Sequence, residues 1–407
     1  MTHPSTSGPA RRLPALDSLR AVATAVVVLV HVTAIYYPPA IITGHIDLLG
    51  QALTFFFVLS GFLIYLPFAE HLLGHRPRPS ARRYLGQRLR RVFPAYVVIL
   101  ALANFAMHAV FTRNPVLSAE NGLPGYGGGI PGTGTDRDAW HLVTQFTLTQ
   151  SLFPSTMQTG LNPAWSLTAE VTFYLLLPAL VACLPFPRPG IRAALRMPAV
   201  VLVIGLVGTV WSLVLIHRGV GTAEYRAWGP TWSAVVSHSF PAVATQFALG
   251  MFAAVLFATV KWNPEAPRPS DRLLGFLIIA GFAAAILSYA VAPNLLGNVS
   301  AIPSAALILI LVLPGRSQRS QTVMASFDRS LTWLTEPTLS VYLWHYPVLI
   351  IVTRTVTIPH TPSGLATAFA AVFVVTLLLA TITFRLVEQP AMRWGRSTRV
   401  RAAPTRL

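Results

Sequence analysis

The run Leu19-Arg20-Ala21-Val22-Ala23-Thr24-Ala25-Val26-Val27-Val28-Leu29-Val30-His31 decides the class of fold. It is apolar enough to begin a membrane helix, yet it opens on an arginine and closes on a histidine. At about 100° per residue a helix carries these two side chains to nearly one face, about 16 Å apart along the axis. Asp17 falls within about 60° of the same stripe. Each of these polar groups has a desolvation cost in a bilayer that a purely anchoring helix has no reason to bear. Something polar is expected to pass or react along the stripe.

The rest of the chain has the same apolar character. Of 407 residues, 54% are hydrophobic and 11% charged, with a mean hydropathy of +0.59, which is the range of polytopic membrane proteins. A span needs about 20 predominantly apolar residues. Ten such stretches fall near 18–37, 48–68, 92–112, 164–186, 198–217, 236–260, 273–292, 298–314, 335–356 and 364–387. The predicted fold is therefore all-α, with about ten transmembrane helices in a membrane domain over 16–390. A tail over 1–15 precedes it and a basic tail over 391–407 follows. The first run is too long and too polar at its ends for a cleavable signal, and further spans follow it. Cys183 is the single cysteine, which excludes an intrachain disulfide framework and any cysteine-based metal cluster.

The formal charge of +17 raises nucleic acid as a partner, but the basic residues sit in short segments between apolar runs, where they fix topology. With a cytoplasmic N-terminus, 25 Lys and Arg fall on the inside and five (Arg113, Arg137, Arg218, Arg226 and Arg354) on the outside. That asymmetry predicts both termini in the cytoplasm and a multi-pass protein of the cell membrane, facing membrane lipids and no nucleic acid. The longest outside segment, about 113–163, holds Gly125-Tyr126-Gly127-Gly128-Gly129-Ile130-Pro131-Gly132-Thr133-Gly134-Thr135. It reads as a mobile loop, equally a flexible connector or an acceptor-binding lid.

Several polar groups are candidates for chemistry. His31 lies about 20 Å along its helix, where a neutral imidazole suits general-base work on a hydroxyl; a hydrogen bond between helices is the plainer use. Arg20 is either a snorkelling interfacial residue or a guanidinium that holds a phosphate, with Asp17 as helix N-cap or as its partner. In Arg82-Arg83-Tyr84-Leu85-Gly86-Gln87-Arg88-Leu89-Arg90-Arg91, the three-residue spacing puts Arg88 and Arg91 on one side, while Arg90 points elsewhere. Such a pair fits an anionic, phosphorylated donor as well as it fits topology and anionic lipid. Glu170 opens the fourth span with Ser166 and Tyr174 four residues to either side, and an orienting role is favoured over direct proton transfer. Trp165 reads as an interfacial belt residue. His345 either lines the cavity of His31 or satisfies backbone freed by Pro347. Ser60-Gly61 reads as close helix packing, not as a nucleophile. Zinc-protease, P-loop and dinucleotide motifs do not occur in the sequence, and no metal site is expected.

Six blocks, in order, are similar to those of the acyltransferase-3 family of integral membrane acyltransferases. They are Leu16-Asp17-Ser18-Leu19-Arg20 with His31, Phe56-Phe57-Val58-Leu59-Ser60-Gly61-Phe62, the Arg88–Pro94 segment, Trp165-Ser166-Leu167 with Glu170 and Phe173-Tyr174, Tyr342-Leu343-Trp344-His345 with Pro347, and Val387-Glu388-Gln389-Pro390. The resemblance implies a ten-helix domain that takes an acyl group from a cytoplasmic acyl-CoA such as acetyl-CoA. It implies a hydroxyl acceptor on a sugar, glycan, lipid-linked glycan or macrolide-type product. The family's paired motifs map onto Arg20 with His31 and onto Arg88 with Arg91. Ser18 stands where glycine is commoner, and Val171-Thr172 where a more polar pair is usual. No fused extracytoplasmic esterase-like domain is expected. The resulting expectation is O-acyl transfer with His31, Arg20 and Glu170 as catalytic groups, with Arg88, Arg91 and Arg20 on the donor, and with no permanently bound cofactor. A non-catalytic transporter or lipid-handling protein is the rival class, and a membrane hydrolase a third.

Overall fold

Helices occupy every stretch where the sequence carries an apolar run, because a backbone in hydrocarbon must satisfy its own hydrogen bonds. The computed structural model describes residues 13–42, 44–122, 128–184, 188–314, 331 and 333–397. Among the described residues there are ten long helices: α1 (Pro14–Tyr36), α2 (Ala52–Leu72), α3 (Ala81–Ala101), α4 (Trp165–Cys183), α5 (Ile191–Arg218), α6 (Phe240–Trp262), α7 (Asp271–Val291), α8 (Leu296–Val312), α9 (Thr338–Thr355) and α10 (Pro362–Thr383). Among the described residues, nine spans are long and apolar enough to cross a membrane; the exception to the expected ten is α9. Ser340, Tyr342, His345 and Pro347 dilute its apolar content, and most of it is buried against other helices. The expected tails 1–15 and 391–407 lie largely outside the described residues, as do Arg11 and Arg12.

Local chemistry sets several helix starts. Ser80 accepts a hydrogen bond from the Arg83 N–H, Ser270 from Leu273 and Thr361 from Gly364, so each caps its helix. Asp17 caps nothing: α1 begins at Pro14, and the carboxylate sits in its first turn beside Arg20.

Two helix groups meet in the bundle. In one, α6 packs on α2, α5 and α8, and α7 packs on α8; in the other, α1 and α9 pack with α10. Where α2 crosses α6, a Cβ on Gly61 would lie 2.1 Å from the Phe247 carbonyl oxygen, and one on Gly250 would lie 1.9 Å from that of Val58. Only glycine allows this approach, so the packing expectation for Gly61 holds. Large apolar side chains such as Val207 on α5 and Ile279 on α7 remain exposed, as lipid-facing surfaces do.

The segment between α3 and α4 departs from the mobile loop expected. A two-residue antiparallel pairing joins Val110–Phe111 to Thr133–Gly134, and short helices cover Pro115–Glu120 and Ala139–Phe146. Asn104 and Asp136 exchange hydrogen bonds between side chain and backbone, and the Asp136 carboxylate accepts from Gln145 Nε2 at 2.8 Å while pairing with His141 at 2.9 Å. This buried network packs what composition alone reads as slack. Residues 123–127, part of the glycine-rich run, lie outside the described residues.

Candidate active site

Five helices contribute to one cavity of about 100 Å³. Arg20 and Thr24 come from α1; Phe56, Phe57 and Ser60 from α2; Arg88 and Arg91 from α3; Ser166, Glu170 and Tyr174 from α4; and Tyr342 from α9. The four-residue spacing on α4 thus turns Ser166, Glu170 and Tyr174 inward together. The Arg88–Arg91 spacing does the same on α3, while the Arg90 guanidinium folds back over Gly86 on its own helix. Three arginines face one carboxylate among the lining residues, which leaves the cavity cationic.

Glu170 is the hub of this cavity. Ser60 Oγ donates to its Oε1 at 2.6 Å, and Tyr174 hydrogen-bonds to it as well. Arg20 lies 3.5 Å from Asp17 and within electrostatic reach of Glu170 and Arg91. Arg91 in turn feels Glu388, a buried carboxylate that accepts from Ser340 Oγ at 2.9 Å. Ser60 is a partner the sequence reading missed, since it saw only the small pair beside the aromatics. The carboxylate it holds lies 110 residues away.

His31 does not line this cavity; it stands one layer beyond, paired with His345. His345 Nε2 and His31 Nδ1 are 3.1 Å apart, and the two rings stack at 5.1 Å between centroids, with Tyr346 at 4.8 Å from His31. The hydrogen-bond network assigns the tautomers. His345 Nδ1 lies 2.5 Å from the Tyr342 carbonyl oxygen, which only accepts, so His345 carries its proton on Nδ1. Its Nε2 then accepts, which makes His31 Nδ1 the donor and leaves the His31 Nε2 lone pair uncommitted. The His31 ring also meets the Val27 backbone, one turn back. His345 is fully buried, whereas His31 keeps some accessible surface. The bond of His345 goes to Tyr342, and Pro347 instead frees the carbonyl of Leu343, so pairing with His31 is the use the fold makes of it.

Tyr342 joins the two layers. Its hydroxyl lies 2.7 Å from Ser166 Oγ on the cavity side, and its backbone carbonyl holds His345. Trp165 is a second departure from expectation. It packs among Phe57, Trp228 and His238, with the His238 ring 4.5 Å away, and so belongs to an internal aromatic cluster as much as to a lipid belt. Among the described residues, no group of three or more His, Cys, Asp or Glu could hold a metal ion.

A cationic cavity lies inside a membrane bundle, one layer from a paired histidine, so the fold is that of an integral membrane protein with charged groups held among its helices. The sequence itself narrows this: a family model described as an acyltransferase domain matches residues 13–385, and the chain belongs to that acyltransferase-3 family. It is similar to the peptidoglycan O-acetyltransferase OatA of Listeria monocytogenes serovar 1/2a (strain ATCC BAA-679 / EGD-e), with 22% identity over 397 residues, 94% of this chain and 56% of the relative. It is also similar to the acyltransferase MdmB of Streptomyces mycarofaciens, with 27% identity over 348 residues, 83% of this chain and 79% of the relative. The chain thus spans little more than half the length of OatA. No solved structure matches.

Proposed function

We propose that the protein moves a short acyl group, acetyl in the simplest case, from acyl-CoA to a hydroxyl of a carbohydrate, glycolipid or macrolide-type acceptor. The observation that carries this reading is the cationic cavity one layer from the His31–His345 pair. Arg88, Arg91 and Arg20 hold the donor's phosphates at the mouth, since planar guanidinium forks match phosphate oxygens. The cavity of about 100 Å³ gives room for a small acyl thioester. Glu170 orients the arginines and Ser60, and performs no proton transfer itself.

The donor enters from the arginine-rich end and the acceptor from the opposite side of the Tyr342–His345–His31 layer. His31 Nε2 takes the proton of the acceptor hydroxyl as its oxygen attacks the thioester carbon. The C–S bond then breaks, and the proton passes from His31 to the departing thiolate, giving CoA thiol and the O-acyl ester. His345 accepts from Nδ1–H throughout and stabilises the imidazolium that forms, as an orienting partner does in a catalytic dyad. With the arginine-rich end in the cytoplasm, both termini lie inside, in keeping with the Lys and Arg count.

The test is His31→Ala in purified, membrane-inserted protein supplied with labelled acetyl-CoA and with acceptors drawn from cell-envelope glycans and secreted metabolites. CoA release and label transfer are expected to vanish while acetyl-CoA still binds. Full activity in that variant refutes the mechanism. Stable label on wild-type His31 would replace the general base by an acyl carrier. Neither binding nor turnover in wild type would favour the transporter reading.

A further inference from the structure

At the other end of the bundle, a groove of about 860 Å³ is lined by Leu213, Val214, Ile216, His217 and Arg218 of α5, Arg226 of the short helix Ala223–Trp228, and Asn294 after α7. That α5 ends far from the donor arginines follows from its start: the Gly190 N–H donates to the Leu72 carbonyl at the C-terminus of α2, beside the turn that leads into α3. His217 and Arg218 close the span Ile191–Arg218, so they stand where hydrocarbon gives way to headgroups.

We propose that this groove binds the phosphate of a membrane lipid, independently of the acyl-transfer reading. Two arginines, Arg218 and Arg226, line it. Arg226 uses Nη1 on the carbonyls of Gly219 and Gly221, which fixes the side chain, while its buried Nε has no protein acceptor. Arg218 has no carboxylate partner among the described residues, and no salt bridge there involves either arginine. The acidic groups on neighbouring elements are Glu224, exposed on the helix of Arg226, and Glu120, which accepts from Thr222. Opposite the charges the wall is apolar, and it continues along α5 as the exposed stripe Val203, Val207, Val210 and Val214. A free anion needs the arginines alone. A lipid phosphate uses them together with the stripe, on which its chains lie. The volume suits a headgroup with the first segments of its chains.

The full chain in detergent, titrated with phosphatidylglycerol and followed by native mass spectrometry, tests this. Wild type is expected to retain at least one phosphatidylglycerol that diacylglycerol of the same chains does not replace and that millimolar inorganic phosphate does not displace. Arg218→Gln with Arg226→Gln is expected to weaken that binding by about tenfold or more, through loss of two charge-assisted contacts. Asn294→Asp, at an exposed position beside the arginines, should weaken it too, whereas Arg192→Gln at the opposite end should not. Unchanged occupancy in both the double variant and Asn294→Asp overturns the proposal. So does equal binding of diacylglycerol, or displacement by inorganic phosphate at comparable concentration, which would make this a small-anion site.

Discussion

Three arginines within four residues of α3 make the sharpest test of the proposed donor site. Arg88 and Arg91 line the cavity, whereas the Arg90 guanidinium lies 3.3–3.6 Å from where a Cβ on Gly86 would stand. A guanidinium–phosphate hydrogen bond contributes about 1.5–3 kcal/mol when the charge is partly desolvated. Each 1.4 kcal/mol is a factor of ten, so Arg88→Gln or Arg91→Gln alone should raise the Kd for acetyl-CoA by roughly 10- to 150-fold. The double change need not multiply these factors, because both residues share one ligand and one carboxylate neighbour. Arg90→Gln removes the same formal charge from the same turn and should move Kd by less than about threefold, the scale of a screened surface charge. The assay is calorimetric titration of acetyl-CoA into purified protein without acceptor, at two salt concentrations, where only the Arg88 and Arg91 variants should lose salt sensitivity. Equal weakening by all three variants would mean that general positive charge attracts the donor. No weakening by any would place the donor elsewhere.

Other consequences follow from particular contacts. His345→Leu removes the acceptor for His31 Nδ1–H and should lower kcat by about tenfold or more with KM for the donor unchanged, while His345→Gln, which keeps an acceptor, should retain most of the rate. Glu170→Gln should weaken both donor binding and turnover, since it uncouples Arg20, Ser60 and Tyr174 at once; Ser60→Ala should cost no more than about tenfold, and a complete loss would show Ser60 to be a nucleophile. Gly61→Ala forces α2 from α6 and should destabilise by about 1–3 kcal/mol, read as a lower thermal midpoint in detergent. Asp138 caps the helix Ala139–Phe146 by accepting from the His141 N–H, which holds its carboxyl below the usual range. The cap's contribution is therefore present above the ordinary aspartate pKa and fades as pH falls through the depressed value. Amide protection at the start of that helix, taken relative to intrinsic exchange at each pH, should fall in acid in wild type and lose that pH dependence in Asp138→Asn.

The polar residues that face inward were legible in the sequence because helical spacing and membrane cost both point the same way. Arg20, Arg88, Arg91 and Glu170 each stand out on that ground, and the fold brings all four to one cavity. What spacing does not carry is pairing between distant helices. The His31–His345 contact joins positions 314 residues apart, and Ser60–Glu170 joins positions 110 apart. No periodicity on either helix records the partner. The segment after α3 misled for a different reason. Its glycines suggest slack, but Gly132 and Gly160 have positive φ, and side chains at those positions would collide with Ser118 and Gln145. Glycine there serves dense packing, which composition reports as freedom.

The helix that carries His345 and Tyr342 is also the one that falls short of the apolar content of a membrane span. Its biogenesis must differ from that of its neighbours. As the chain leaves the translocon, α9 partitions poorly alone, because histidine and proline near its middle oppose entry into lipid. Its apolar partner α10 follows after a short connection, and α9 packs on both α10 and α1. The pair is thus expected to insert as a hairpin, with α1 waiting in the bilayer since the start of synthesis. The histidine pair forms only when the first and ninth helices meet, so a chain truncated before α10 should leave α9 outside the membrane. Formation of the histidine pair and completion of membrane assembly become one event, late in the making of the protein.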